Sequence, residues 1–356
     1  MSRTLVFVLC ALALGCKKKR DDRAPVQLAL GALHSCALMK DGSVRCWGGA
    51  AGPTPVSVPT RVDGRWRFRQ VATGFAHTCA SVGDASHPSA AVVCWGRNDA
   101  GQVGEPASED SPPHQLDVDA VDLAAGGDTT CARVLGKTVT CWGGLAGSHV
   151  PTPVKNLTNV AQIAVGKNHA CARLDDGTAR CWGKNDRGQL GDTTRTDREA
   201  PVPVVRLTNI TRIAAGDAHT CARVGEERVE CWGANGAGQL GDGTTNDRST
   251  PADATRITGA VQLSLGGDTS CARMQDASVM CWGDNSHHQV ADGTTNMRLE
   301  PVLVFGVFDV VEVGTGSAHV CVRFKDPRVR CWGANGSGQL GDGTTMERAV
   351  PVGVKF

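Results

Sequence analysis

The sequence predicts an all-β repeat protein in which one small unit recurs seven times and is stacked or closed into a ring. Three observations lead there. Seven cysteines are each followed, usually ten residues later, by a second cysteine that opens Cys-Trp-Gly. The pairs are Cys36 with Cys46, Cys79 with Cys94, Cys131 with Cys141, Cys171 with Cys181, Cys221 with Cys231, Cys271 with Cys281, and Cys321 with Cys331. The last four leading cysteines, Cys171, Cys221, Cys271 and Cys321, stand fifty residues apart, and a fixed period of that size marks a repeat architecture. The composition, with 44 glycines, no tyrosine and 41% hydrophobic residues, suits short strands joined by tight turns. A chain of 356 residues would ordinarily suggest two domains, yet a ring of repeats forms one.

The first element is an export signal. Arg3 precedes an apolar run from Leu5 to Leu14, which is the length of a signal-peptide core and too short for a stable transmembrane helix. The run ends in Ala13-Leu14-Gly15-Cys16. These residues resemble the lipobox of bacterial lipoproteins, with Ala13 standing where Leu is more usual. The resemblance implies that residues 1–15 are cleaved and that Cys16 is lipidated and N-terminal in the mature chain. Ordinary secretory cleavage without lipid is the competing reading. Cys10 is a poor rival because Leu9 before it is too large for the cleavage pocket.

Residues 16–25 then form a charged tether that stays solvated. Its cluster Lys17-Lys18-Lys19-Arg20 can touch anionic headgroups at about 1 kcal/mol per charge. Lys17 is not the Asp that retains some bacterial lipoproteins at the inner membrane. The expected address is therefore the cell envelope, at the outer membrane or cell surface.

Residues 26–356 hold the seven repeats. In the fourth copy, Val160–Gly166 and Lys167–Leu174 lead into Asp175-Asp176-Gly177 and then Thr178–Gly183. Short segments rich in small and β-branched residues, broken by Gly, read as strands. Asp175-Asp176-Gly177 reads as a three-residue hairpin loop with Gly177 in the left-handed conformation, and Lys40-Asp41-Gly42 marks the same turn in the first copy. That register sets Leu174 against Thr178 and Cys171 directly opposite Cys181. Opposed residues in a non-hydrogen-bonded pair have Cα atoms about 4.5 Å apart, within reach of a disulfide. In an oxidising compartment all seven pairs are expected to be intra-hairpin disulfides. A metal site from His169, Cys171 and Cys181 is the rival, undercut by Thr129 and Thr269 standing where His would be and by the shortage of ligands for a closed tetrahedral site.

After the hairpin comes a Gly-rich loop, Asn235–Thr245 in copy five and Asn335–Thr345 in copy seven, followed by Arg248 and Pro251 or Arg348 and Pro351. Asn-x-x-Gly-Gln-Leu-Gly-Asp-Gly-Thr-Thr, preceded by His-x-Cys and Cys-Trp-Gly, resembles the repeat of the regulator of chromosome condensation family over residues 26–356. The resemblance implies a seven-bladed β-propeller, and physical reasoning agrees, because a four-stranded blade buries both faces only against neighbours in a closed ring. Trp47, Trp95, Trp142, Trp182, Trp232, Trp282 and Trp332 are then expected to fill the space between blades. The strand around Pro351–Val354 is expected near the first blade at ring closure.

Features present in every copy serve the architecture. Asp242, Asp292 and Asp342 lack the alternating oxygen ligands of a calcium loop and read as turn residues, with Arg198, Arg248, Arg298 and Arg348 as their partners. The Gly-rich loop lacks the ending of a P-loop, and no nucleophile motif is present. His287-His288 reads as an exposed turn pair in preference to a metal site. No catalytic residue, cofactor or metal is therefore expected. With 37 basic and 36 acidic residues the net charge is +1, so nucleic acid is a poor partner.

The departures are more informative. Copy one replaces the loop by Gly48–Pro53 and copy three by Gly143–Ser148. Copy two carries an acidic insert, Glu109-Asp110, and a longer hairpin from Gly83 to Ala91. Irregular loops on a rigid scaffold are where binding tends to reside. Arg65-Trp66-Arg67-Phe68-Arg69 lies in the same sector and reads as a strand with three arginines on one face and two aromatics on the other. Aromatic and arginine side chains are typical interaction anchors, so these five residues are the candidate partner contact. The simpler account packs Trp66 and Phe68 inward and solvates the arginines.

The functional expectation is a monomeric, non-catalytic scaffold, anchored through an N-terminal lipid and binding a protein in preference to a glycan. Family resemblance offers guanine-nucleotide exchange on a small GTPase as the alternative, if the chain is not exported. An enzyme using the central channel is a third option without a clustered acid–base set to support it.

Overall fold

The computed structural model describes residues 24–49, 56–62, 64–83 and 90–356. The signal segment, Cys16 and the tether through Arg23 lie outside the described residues, as do most of the first copy's truncated loop and of the second copy's long hairpin.

Each copy runs back and forth as four antiparallel strands in chain order. In copy four these are Val160–Val165, His169–Leu174, Ala179–Gly183 and Arg198–Pro203. The hairpin has the expected register. Cys171 faces Cys181, the Leu174 amide donates to the Thr178 carbonyl, and Gly177 has φ of 77°.

The cysteines of every copy are joined across the same two strands. Cys36 is bonded to Cys46, Cys79 to Cys94, Cys131 to Cys141 and Cys171 to Cys181. Cys221 is bonded to Cys231, Cys271 to Cys281 and Cys321 to Cys331. Cα atoms are 4.1 Å apart in each pair, and all fourteen cysteines are buried. The longer hairpin of copy two keeps this pairing, because Cys79 still stands directly opposite Cys94.

Five copies form separate four-stranded sheets, while copies two and three share a seven-stranded one. The shared strand is Ser108–Gly126. Its first part pairs with Ala90–Asn98 and its last part, from Ala120, with Thr129–Val134. Leu116, Val118 and Ala120 are buried while Asp117 and Asp119 are exposed. That period of two keeps the chain extended where other copies turn, so one strand serves as outer strand of blade two and inner strand of blade three.

The inner strands of the blades pack side by side around a central axis, and Pro25–Leu30 of blade one meets Val310–Thr315 of blade seven. Their ends wall a narrow axial cavity of about 110 Å³, lined mainly by glycine and short side chains, with Lys167 and Asp217 at one rim. The glycines are there for close approach. A Cβ on Gly166 would lie 2.4 Å from the Gly216 carbonyl, and one on Gly316 would lie 2.6 Å from that of Gly31. The closure contact is thus of the same kind as the others. Replacing Gly316 by Ala also drives a methyl to 2.3 Å from His319 Cε1, and overpacking of this sort costs about 1–3 kcal/mol. Gly316→Ala is expected to melt a few degrees below the parent, whereas Gly336→Ala, with open space around it, should melt with it.

Side chains lock neighbouring blades. Nε2 of His34, His77, His169, His219 and His319 lies 2.8–3.0 Å from the hydroxyl of Thr78, Thr130, Thr220, Ser270 and Ser35, each on the next blade. Copies three and six carry Thr129 and Thr269 in place of histidine, and the next blade then carries Ala170 and Val320 in place of the hydroxyl. The exchange is matched at every interface, including the last, His319 to Ser35. The strand Arg348–Gly353 pairs within blade seven, so the terminal strand completes its own blade. The segment after it reaches the first blade through packing: Val354 is partly buried against the cluster containing Trp47, and Phe356 meets Trp47 edge-on.

The arginine–aromatic segment departs from its expected strand. Residues 64–65 are a turn and 66–67 irregular, and the strand begins at Phe68. The cause is position, since this stretch must carry the chain from the outer edge of blade one to the axis. The alternation survives: Phe68 is buried, Trp66 half-buried, and Arg65, Arg67 and Arg69 are exposed.

Candidate functional site: a gap between blades three and four

The Gly-rich loops close on themselves around a buried asparagine. In copy five, Asn235 Nδ2 donates to Asp242 Oδ1 and the Thr244 carbonyl, both at 3.1 Å, while its Oδ1 accepts the Leu240 amide at 3.0 Å. Asp242 Oδ1 accepts the Thr244 amide and hydroxyl, and its Oδ2 pairs with Arg248 at 2.8 Å. Burial pushes the Asp242 carboxyl up, but the bonds from Thr244 and Arg248 outweigh it and hold it below the usual range. Asn185, Asn285 and Asn335 build the same network. The recurrent Asp and Arg residues are accordingly structural.

Each such loop also seals the next blade. The Gln189, Gln239, Gln289 and Gln339 carbonyls accept the indole N–H of Trp232, Trp282, Trp332 and Trp47 at 2.8–2.9 Å. The following Leu190, Leu240, Val290 and Leu340 are fully buried in the same interfaces. Next comes Gly191, Gly241 or Gly341, all at positive φ, where a Cβ would fall 2.8–2.9 Å from the indole nitrogen. Four residues after the glutamine, the amides of Thr193, Gly243 and Gly343 donate to the carbonyls of Ser249, Leu299 and Ser57, which belong to the next blade's outer strand.

Blade three cannot do this, because its loop is cut to Gly143–Ser148. Tryptophan exposure follows the loss. Trp47, Trp142, Trp232, Trp282 and Trp332 are 0% exposed, whereas Trp95 and Trp182, which follow the two truncated loops, are 6% and 5%. Among the described residues the Trp182 indole N–H has no acceptor, and neither has that of Trp142 behind the retained loop of blade two, so the exposure and the missing cover, not the free N–H alone, set blade four apart. Two adjoining cavities of about 310 and 580 Å³ flank it, sharing Leu145, Ala146, Trp182 and Glu199. Glu199 holds the place of Ser249 and Leu299 on the outer strand, and no loop covers it. Val154 is half-exposed where its counterparts Val204, Ala254 and Val304 are buried. The result is an open trench with an aromatic floor, apolar walls and unused main-chain bonding capacity.

The structure does not bring the arginine–aromatic segment to this trench. Arg67 donates to the Asp41 carbonyl, which places the segment at the hairpin end of the strands, opposite the end that carries the Gly-rich loops. Arg65 stacks on Trp66, and Trp66, Phe68 and Trp95 form an aromatic chain between blades one and two. His287 and His288 turn to separate partners, Glu347 and the Thr294 carbonyl. Sequence reasoning noticed the shortened loops but missed that their loss thins the cover over the tryptophan of the following copy, from 0% to 5–6% exposed.

A family model described as RCC1-like domain matches residues 89–356, and one described as regulator of chromosome condensation (RCC1) repeat matches residues 26–49. No curated protein matches the sequence. Among solved structures the chain is similar to Prp20p from Saccharomyces cerevisiae, at 21% identity and a TM-score of 0.78, covering 94% of this chain and 88% of that one. That structure was described with the binding of Prp20p to Gsp1p and histones. Human WBSCR16 is similar at 18% identity and a TM-score of 0.76, covering 85% and 86%. The CRINKLY WD40 ectodomain of the Arabidopsis thaliana receptor kinase ACR4 follows at 19% and 0.54, covering 93% and 98%. At these identities the structural likeness establishes the propeller fold.

Proposed function

The chain belongs to the RCC1-like domain family, and from that premise we propose that it is an exported, lipid-anchored, non-catalytic scaffold that binds a protein partner. The observation that carries the reading is the uneven sealing of the ring. Loops in blades four to seven satisfy their own polar groups and close the interfaces behind them. The truncated loop of blade three leaves a strand edge and an apolar trench uncovered, with the edge of Trp182 at its floor. Irregular surface on a rigid, cross-linked frame supports recognition. The relation to Prp20p, described as binding Gsp1p and histones, supports a protein partner. Seven disulfides support an oxidising address, and the run ending at Cys16 supports an anchor.

Two experiments test the reading. Metabolic palmitate labelling with fractionation should place the parent in the membrane fraction and lose both label and membrane retention in Cys16→Ala; a cytosolic parent would favour nucleotide exchange instead. Crosslinking on intact cells should capture a defined protein. We place the exposed arginines at the hairpin end, Arg65, Arg67 and Arg69, in the contact. Replacing all three by Ser should abolish capture while melting behaviour holds, and undiminished capture removes that face from the proposal.

A further inference from the structure

We propose that the trench between blades three and four binds a turn-forming peptide that imitates the missing Gly-rich loop: a backbone carbonyl, then leucine or valine, then glycine or alanine, then a main-chain amide four residues after the carbonyl. The inference deepens the scaffold reading and rests on it for the ligand being a protein. Four other interfaces show what fills this place when the full loop is present. The carbonyl of Gln189, Gln239, Gln289 or Gln339 takes the indole N–H, and the next residue, Leu190, Leu240, Val290 or Leu340, is fully buried. The third position sits on the indole at positive φ, where glycine is favoured and Ala291, at φ of 54°, is accommodated. The amide four residues on reaches the carbonyl of the outer strand, as Gly243 reaches Leu299.

At the fourth blade the blade's own half of this pattern remains, an indole donor and an outer-strand carbonyl acceptor, while the loop that would meet them is gone. Trp182 keeps an N–H without an acceptor among the described residues, Glu199 keeps the place of Leu299, and Leu145 with Ala146 lines both adjoining cavities. The trench offers two main-chain bonds in fixed spacing with an apolar socket between them. A peptide that turns as the Gly-rich loops do bonds to the blade through its main chain, as Gly243 bonds to Leu299. A glycan stacking on Trp182 would use the ring face but would leave the leucine socket unfilled.

The test uses the oxidised protein and a fluorescent peptide copying residues 235–245 of this chain, read by polarisation, with a control peptide bearing Leu240→Asp. The parent should bind the first peptide saturably and not the second. Trp182→Phe, which keeps a ring and removes the N–H, should weaken binding about fivefold, the fold-change of one neutral hydrogen bond. Ala146→Arg, which fills the trench from a half-exposed position at the edge of the Trp182 cluster, should abolish it in a protein whose far-UV circular dichroism and melting match the parent. Absence of saturation up to about 1 mM, weak even for a short peptide, overturns the proposal. Equal binding by Ala146→Arg overturns it too, as does displacement of the peptide by soluble oligosaccharides. Partner capture that persists in Ala146→Arg, together with no peptide binding, leaves the scaffold reading standing and removes the trench from it.

Discussion

Refolding the chain from denaturant in the presence of reductant is expected to yield no native propeller, whereas the oxidised chain refolds. The argument runs through the size of each contribution. Six pairs close separations of ten residues and one, Cys79 with Cys94, closes fifteen, and loop-closure entropy gives about 3 kcal/mol for a loop of that length. The pairs sit in different blades, where effects add to a first approximation, so all seven contribute on the order of 20 kcal/mol. A domain is typically stable by only about 5–15 kcal/mol. A single pair should be tolerated: Cys171→Ala with Cys181→Ala should lower the melting temperature by several degrees and leave a folded protein. The measurement is far-UV circular dichroism during refolding, with thiol titration of the same samples. A reduced chain that melts with the oxidised one would mean that strand pairing and interface packing alone hold the ring.

The hairpins were legible in the sequence because each is local. Ten-residue spacing, a turn ending at Gly177 and period-two patterning leave one register, and it sets Cys171 opposite Cys181. Tryptophan burial was legible for the same reason, since a large apolar residue recurring in every copy has to face a neighbour. What escaped was set by contacts between copies. Thr129 and Thr269 served only to argue against a metal, yet the adjoining Ala170 and Val320 already showed that a histidine on one blade is matched to a hydroxyl on the next. The strand expected over Arg65–Arg69 failed because alternation tells which side chains face inward and not whether the backbone is paired. Ser108–Gly126 reads continuously because acidic and apolar residues alternate without a turn signal between Gln115 and Asp122. The trench required both kinds of knowledge at once. The shortened loop lies in copy three, while the side chain it exposes lies in copy four.

Acidification from pH 7 to pH 5 is expected to destabilise the ring far more than loss of surface ion pairs would. His34, His77, His169, His219 and His319 are fully buried, and burial lowers their pKa from 6.5 to about 3 or 4. At four interfaces the partner hydroxyl donates to a glutamine carbonyl, Thr130 to Gln102, Thr220 to Gln189, Ser270 to Gln239 and Ser35 to Gln339. The hydroxyl oxygen must then accept from Nε2–H, so Nδ1 is the bare nitrogen, and it is buried without a partner. Above pH 6.5 these rings are neutral both folded and unfolded, and nothing is lost. Below it the unfolded chain takes up protons that the folded chain refuses until the pH reaches the folded pKa. Stability therefore falls through that window by about 1.4 kcal/mol per pH unit for each histidine. Asp128, Asp217, Asp268, Glu230 and Glu312, whose carboxyls burial pushes up, oppose the trend by gaining protons more readily when folded, but they start from the ordinary carboxylate range and so act at the acid end of the window. The loop carboxylates Asp192, Asp242, Asp292 and Asp342 are held low by their bonds, so their contribution is lost only below the ordinary aspartate range. The histidines thus dominate the first part of the descent, from pH 6.5 towards pH 5. Converting one lock to the pairing found between copies six and seven, His219→Thr with Ser270→Val, removes one of five proton-refusing sites while Trp282 still holds the Gln239 carbonyl. The slope of unfolding free energy against pH should fall by about one fifth, measured by denaturant titration at half-unit intervals. An unchanged slope would show that the buried rings do not control the acid response.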